Sequence, residues 1–338
     1  MNVDLHGVLD EIAERRRNRH DMNVATMTVV VFFDDAAVGE WARDRTHALA
    51  VKHPSRVLVL DGTQPSSFHR VGDKCFSHAD CVKTRGDWIE LGVSGGTSDV
   101  LLSAINTLCL PQAPIVLIWV ASGIGADPRF APVVSQVRSV VYNSSVLDDG
   151  DAALRDLATF VGSHRGAAIA DLAYLRLAPW QEAIALFFDG RDVVRELFDL
   201  RRVEITCGSD SEAYYLLGWL ASRLEWKPCD AEQLCNRYGT TIDFAIVREG
   251  RARRIRRVAL HSSNTNFIAE IDNEDAEAIL LTVTGEKQHP DRARPINNID
   301  IAALVERAIL TGHNDRVFVE SLLAAGEILE RRKGLTNA

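Results

Sequence analysis

Apolar positions arrive along this chain in two rhythms. Residues 26–33 (TMTVVVFF), 56–62 (RVLVLDG) and 114–120 (PIVLIWV) are continuous β-branched and aromatic runs. Such runs predict strands covered on both faces, as in a parallel sheet. Between the first two, Ala37, Trp41, Ala48 and Val51 recur at helical spacing over residues 36–51. His53-Pro54-Ser55 ends that helix, because proline disfavours helical backbone at the residue before it. The resulting β-α-β order implies a right-handed crossover and parallel pairing. Leu5, Val8, Leu9 and Ile12 predict a helix over 3–17. The polar residues 63–86 read as a long connection, with room for an irregular strand. Further strands are expected at 88–95 and 139–145, and helices at 99–109, 129–138 and 148–163.

The stretch DLAYLRLAPWQEAIALFFDG (171–190) predicts two helices meeting at Pro179, which suits the first turn of the second. Beyond it the pattern changes. A strand at 202–208 precedes a helix capped by Ser209 or Asp210. Four strand candidates follow at 240–249, 253–262, 266–272 and 277–285, with short links that predict antiparallel hairpins. Helices at 299–310 and 315–332 end the chain. The expected fold class is α/β. A Rossmann-like, mostly parallel sheet occupies an N-terminal domain, residues 1–195, ending in the Pro179 helical corner. An α+β C-terminal domain, residues 196–338, contains an antiparallel sheet.

Composition narrows function more than fold. The 338 residues are 46% hydrophobic and 25% charged, an ordinary globular balance. A net charge of −9 argues against a general nucleic-acid binder, which needs a basic face to displace counterions from phosphates. Local basic runs exist at Arg15, Arg16, Arg17 and Arg19, and at Arg251, Arg253, Arg254, Arg256 and Arg257. They read as solvated faces or as docking surfaces for an acidic partner or a phosphate. No run reaches the ~20 apolar residues of a membrane span, and the N-terminus lacks the features of a signal peptide. A cytoplasmic protein is expected.

No strong catalytic motif stands out. The most enzyme-like feature is Ser94-Gly95-Gly96-Thr97, where a strand gives way to a helix. Backbone amides at a helix start, with glycines allowing close approach, suit an anion; a plain capped turn explains the same residues. The loop is neither a Walker A motif nor GxGxxG. It also keeps open an alternative reading, a sugar-phosphate-binding enzyme acting through Ser94–Ser98. The ten histidines show no zinc spacing, and no GxSxG elbow occurs. Neither cofactor nor metal is therefore expected. The six cysteines include two pairs six apart, Cys75/Cys81 and Cys229/Cys235. Each reads either as two unrelated thiols or as a reversible redox pair.

Several segments together resemble a known family. HPSRVLVL (53–60), PQAPIVLIWV (111–120) and above all DLAYLRLAPWQEAIALFFD (171–189) look like signature stretches of the glucose-6-phosphate dehydrogenase assembly protein family, OpcA. SDSEAYYLLGWLASRLEW (209–226) is similar to the start of that family's C-terminal domain. Departures include Tyr174 where the family usually has Trp, and Gln181 where it has Arg. The resemblance implies a non-catalytic protein that binds glucose-6-phosphate dehydrogenase and promotes its active oligomer. It marks His53, Pro54, Arg56, Asp171, Tyr174, Arg176, Pro179 and Trp180 as partner-binding or signature positions, and raises interest in redox at Cys229 and Cys235. Asp171, Arg176 and Trp180 have a structural reading too, pinning the helices at the Pro179 corner by an ion pair and a buried indole.

Overall fold

The computed structural model describes residues 3–17, 25–75, 85–121, 123–125, 127–147, 149–164, 168–190, 193–249, 254–271, 278–285, 289–295, 301–311 and 315–336. Two compact units alternate along the sequence. The first comprises Met1–Asn143, His164–Leu172 and Asp300–Asn314; the second comprises Ser144–Ser163, Ala173–Ile299 and Asp315–Ala338. The chain passes between them at 143/144, 163/164, 172/173, 299/300 and 314/315 rather than at one point near residue 195.

The first unit opens with α1 (Leu5–Arg17), β1 (Met27–Phe33), α2 (Ala36–Lys52), β2 (Ser55–Asp61), β3 (His69–Cys75) and β4 (Arg85–Gly92). It continues with α3 (Ser98–Leu108), β5 (Ile115–Val120), α4 (Phe130–Val134) and β6 (Ser139–Tyr142). After α5 (Gly150–Ser163), which belongs to the second unit, β7 (Ile169–Asp171) returns to the first. The sheet order is β3-β4-β2-β1-β5-β6-β7, and every pairing is parallel except β3–β4. β1 suits the centre because it is apolar but for Thr28: all seven of its residues are buried, as are all seven of β2. Trp119 of β5 stacks on Phe32 of β1 with ring centroids 4.2 Å apart. The polar connection expected over 63–86 contains β3, which lies antiparallel at the sheet edge, where few apolar residues are needed.

The second unit receives α6 (Leu172–Leu175), shared at its first residue, then α7 (Ala178–Phe187), α8 (Val194–Phe198), β8 (Leu200–Cys207) and α9 (Asp210–Leu224). Next come β9 (Lys227–Asp230), β10 (Gln233–Cys235), β11 (Thr241–Arg248), β12 (Ile255–Ser262), β13 (Thr265–Ile271), β14 (Ala278–Gly285) and β15 (His289–Pro295). α10 (Ile301–Thr311) goes back to the first unit, and α11 (Arg316–Thr336) ends the second. The sheet order is β15-β14-β13-β12-β8-β11-β10-β9. One expected hairpin is absent: β11 and β12 are not neighbours. β8 lies between them, parallel to β11 and antiparallel to β12. The connection from β8 through α9 to β11 is thus a crossover; only β12 to β14 form the expected meander, and β15, which was not expected, extends it.

Helix α9 is apolar nearly all round, with Tyr214, Tyr215, Leu216, Leu217 and Leu220 buried. It therefore needs cover on several sides, and packs against α11, α5, β8 and β11. Gly218 sets the distance to α11. A β-carbon there would lie 2.3 Å from the Ser321 carbonyl oxygen, so only glycine permits this approach.

Candidate functional site

The signature corner is mostly interior. Tyr174 and Trp180 are each 6% exposed and Asp171 is fully buried. Pro179 sits in the first turn of α7, where its missing N–H leaves no bond unmade. The Tyr174 ring packs edge-on to Tyr215 at 5.5 Å and against Phe318 at 5.1 Å. Arg176 donates through Nε to Glu212 Oε1 at 2.7 Å and through Nη2 to the Ser145 hydroxyl. Burial pushes the Glu212 carboxyl above its ordinary range, and the Arg176 guanidinium works against that shift.

Glu212 is a residue that sequence reasoning missed. Ser209-Asp210-Ser211-Glu212 spells a capping box, in which the glutamate would bond back to the cap residue. Ser209 does occupy the N-cap of α9, but its side chain makes no capping bond. Glu212 is turned to Arg176 instead.

His53, Pro54 and Arg56 are likewise built into the first unit. The His53 amide closes α2 by donating to the Leu49 carbonyl at 2.9 Å, and its Nε2 lies 2.9 Å from Glu306 of α10. Arg56 sits beside Asp87 because β2 and β4 pair in register, Val57 opposite Trp88. It donates to Asp87 Oδ2 from Nε and Nη2, at 3.1 and 2.9 Å, and from Nη1 to the Leu108 carbonyl at 2.6 Å. The guanidinium thereby caps the C-terminus of α3, where carbonyls are unpaired and the helix end is negative. Arg16 of α1 adds a second cation on Asp87 at 2.7 Å. Burial disfavours the Asp87 charge, yet the Arg16 hydrogen bond and the pull of Arg56 outweigh it and hold the carboxyl below its ordinary value.

The Ser94–Thr97 loop turns at Gly95, whose φ of +66° is a backbone state that favours glycine. The Ser94 amide donates to Gln64 and the Gly96 amide to Val93, both at 2.9 Å. Two of the amides that would face an anion are therefore committed within the fold. Thr97 is the N-cap of α3, without a side-chain capping bond.

A Rossmann-like sheet invites a test for a dinucleotide. In that fold the pyrophosphate rests on the amides that follow the first strand, on a glycine-rich turn. Here β1 runs into Asp34-Asp35-Ala36-Ala37-Val38-Gly39. Asp35 Oδ1 accepts from the Ala37 amide at 2.7 Å and the Val38 amide at 3.2 Å. The helix start is thus filled by the protein's own carboxylate. Asp34 adds a second acid, linked at 3.4 Å to Arg129, which pairs with Asp127 at 2.6 Å. Gly39 serves packing: a β-carbon there would fall 2.4 Å from the Phe33 ring. These residues do not fit a dinucleotide phosphate.

In the second unit, Cys229 of β9 and Cys235 of β10 form a disulfide at the end of the sheet. Cys81 and the residues around it lie outside the described residues, as do Arg19, Arg251 and Arg253. Helices α7, α9 and α11 pack on this sheet. The strand alternation places Val203, Ile205, Val258, Leu260 and Phe267 together on one buried face. The register puts Glu204, Ala245, Val247, Arg257, His261, Ile268 and Glu270 on the opposite face. There Val247 is 49% exposed, and Arg257 forms ion pairs with Glu204 and Glu270. Small apolar groups and paired charges thus share this face.

The fold and these sites define a class: a Rossmann-like α/β protein whose nucleotide cradle is closed by its own side chains, joined to a mixed sheet. Residues 46–159 match the glucose-6-phosphate dehydrogenase subunit N-terminal domain, and residues 167–322 match the C-terminal domain of the same subunit. The chain belongs to the OpcA family. It is 37% identical over 189 residues to the OxPP cycle protein OpcA of Synechocystis, covering 53% of this chain and 39% of that one. It is 26% identical over 205 residues to the Nostoc punctiforme protein of the same name, covering 57% and 43%. The matched region spans about two fifths of the length of these curated relatives. Among solved structures, a mutant 3-ketoreductase from Actinomadura kijaniata with TDP-benzene and NADP aligns with a TM-score of 0.53 at 10% identity, over 91% of this chain and 97% of that one. A protein named as an oxidoreductase from Magnetospirillum magnetotacticum aligns at 0.51 and 10%, over 91% and 99%. At such identity these structures share the fold alone. No helix among the described residues is long and apolar enough to cross a membrane.

Proposed function

We propose that this chain is a non-catalytic partner of glucose-6-phosphate dehydrogenase, which binds the enzyme and favours its active oligomer in the oxidative pentose phosphate pathway. One structural observation supports the non-catalytic part. The fold is shared with nicotinamide-dependent enzymes, yet the amides that would take the pyrophosphate are capped by Asp35. The partner follows from family membership. A binding protein can shift the dehydrogenase toward an active state only by binding that state more tightly than the other.

The surface assigned to the dehydrogenase is the face of the second unit's sheet that carries Glu204, Val247, Arg257 and Ile268. The signature residues Tyr174, Arg176, Pro179 and Trp180 act in this reading by holding the helices behind that sheet. The Cys229–Cys235 bond at the sheet's end gives the same surface a redox-sensitive margin, and the setting is cytoplasmic. The test is gel filtration of the purified chain with purified dehydrogenase. Co-elution is expected, with Arg257→Glu and Val247→Asp each weakening it at least tenfold. Separate elution of the two wild-type proteins at micromolar concentration ends the proposal. Normal co-elution of both variants moves the contact to another surface.

A further inference from the structure

A polar cavity of about 510 Å³ lies within the second unit. That volume is within the range of small-molecule sites. Its lining includes Arg155, Arg248, Arg332 and Lys333 against Asp151 and Asp210. Four cations against two carboxylates leave an excess of two positive charges. Two helices begin at its wall. Asp151 lies in the first turn of α5 and Asp210 in that of α9, so the positive ends of both helices lie at the lining.

The charges are partly committed. Arg248 donates to Asp210 Oδ1 at 2.8 Å, and Arg332 donates to the Tyr214 hydroxyl. Arg155 and Arg332 also reach Glu330 and Glu232, at 3.7 and 3.6 Å, but those acids are largely exposed and stand outside the lining. One lining atom lacks any match: Asp151 Oδ1 is buried without a hydrogen-bond partner. A buried acceptor of this kind calls for a donor.

We propose that this cavity binds a small phosphate monoester that also carries hydroxyl groups. The phosphate, with close to two negative charges at neutral pH, meets Lys333, Arg155 and Arg332, and a ligand hydroxyl donates to Asp151 Oδ1. The proposal stands on the cavity alone and does not depend on the dehydrogenase.

Isothermal titration calorimetry on the full chain tests it, with glucose 6-phosphate, unphosphorylated glucose and inorganic phosphate as probes. Saturable binding of glucose 6-phosphate is expected, at least tenfold tighter than inorganic phosphate, with no heat from glucose. Lys333→Glu, at an exposed position, weakens glucose 6-phosphate at least tenfold. Asp151→Ala abolishes the preference over inorganic phosphate while inorganic phosphate binds as well or better. Circular dichroism confirms that each variant is folded. No saturable heat from glucose 6-phosphate, equal affinity for inorganic phosphate, or indifference to Lys333→Glu overturns the proposal.

Discussion

Single residues carry the fold's most costly commitments. Glu212 is buried and Arg176 nearly so, with side chains 4% and 17% exposed. Truncating one partner of a buried pair leaves the other charge stranded, at a cost of about 3–5 kcal/mol. Arg176→Ala is therefore expected to lower unfolding free energy by about that amount in a urea titration, and Arg176→Met with Glu212→Leu to restore most of it. Equal loss in the single and double variants would show that the pair matters only for its packing. Asp87 gives a pH signature. Its folded carboxyl titrates below the unfolded value, so its contribution is present above the unfolded value and lost as pH falls through the folded one. Asp87→Asn should lower stability at pH 7 and flatten the decline of stability in acid below about pH 4; a parallel decline in both proteins would contradict the assignment. The sequence made Arg176 conspicuous but not its partner. Glu212 stands in a pattern with a sufficient local explanation, and only tertiary packing turns it away from the cap.

At the scale of elements, a disulfide ties the two short strands β9 and β10. Closing so short a loop restricts the unfolded chain by about 2 kcal/mol. Reduction, or Cys229→Ser, should lower stability by that order, and amide exchange in β9 and β10 should rise more than in β12 or β13. No difference between oxidised and reduced protein in thermal unfolding would contradict this. The buried strands β1, β2 and β5 were legible because both their faces are covered, and each carries a continuous apolar run. Strands β7, β9, β10 and β15 were not, and β3 was legible only as an irregular strand within a polar connection. β3, β9 and β15 are end strands with few apolar residues, and β7 and β10 are three residues long, too short to show a period. The pairing of β11 with β8 was also hidden, because a short link after β11 resembles a hairpin and periodicity does not record which strand lies alongside.

Across the whole molecule, the chain shares its fold with a solved NADP-bound ketoreductase, while the turn after β1 is capped by Asp35. No GxGxxG pattern follows β1, and the capping role of Asp35 needed coordinates to be seen. The sequence pointed to the signature residues, but their chemistry alone does not separate a surface anchor from a buried support, and Tyr174 and Trp180 prove to be interior. In the proposed account, partner contact falls to residues that carry no motif, on the face of a sheet. The central claim is that this chain acts on glucose-6-phosphate dehydrogenase without turning over substrate itself. The most direct measurement is the initial rate of NADP reduction against glucose 6-phosphate concentration, for the purified dehydrogenase with and without an excess of this chain, and for this chain alone. The account predicts a lower half-saturating concentration or a higher maximal rate on addition, and no rate from the chain by itself. An unchanged saturation curve, or turnover by the isolated chain, would contradict it.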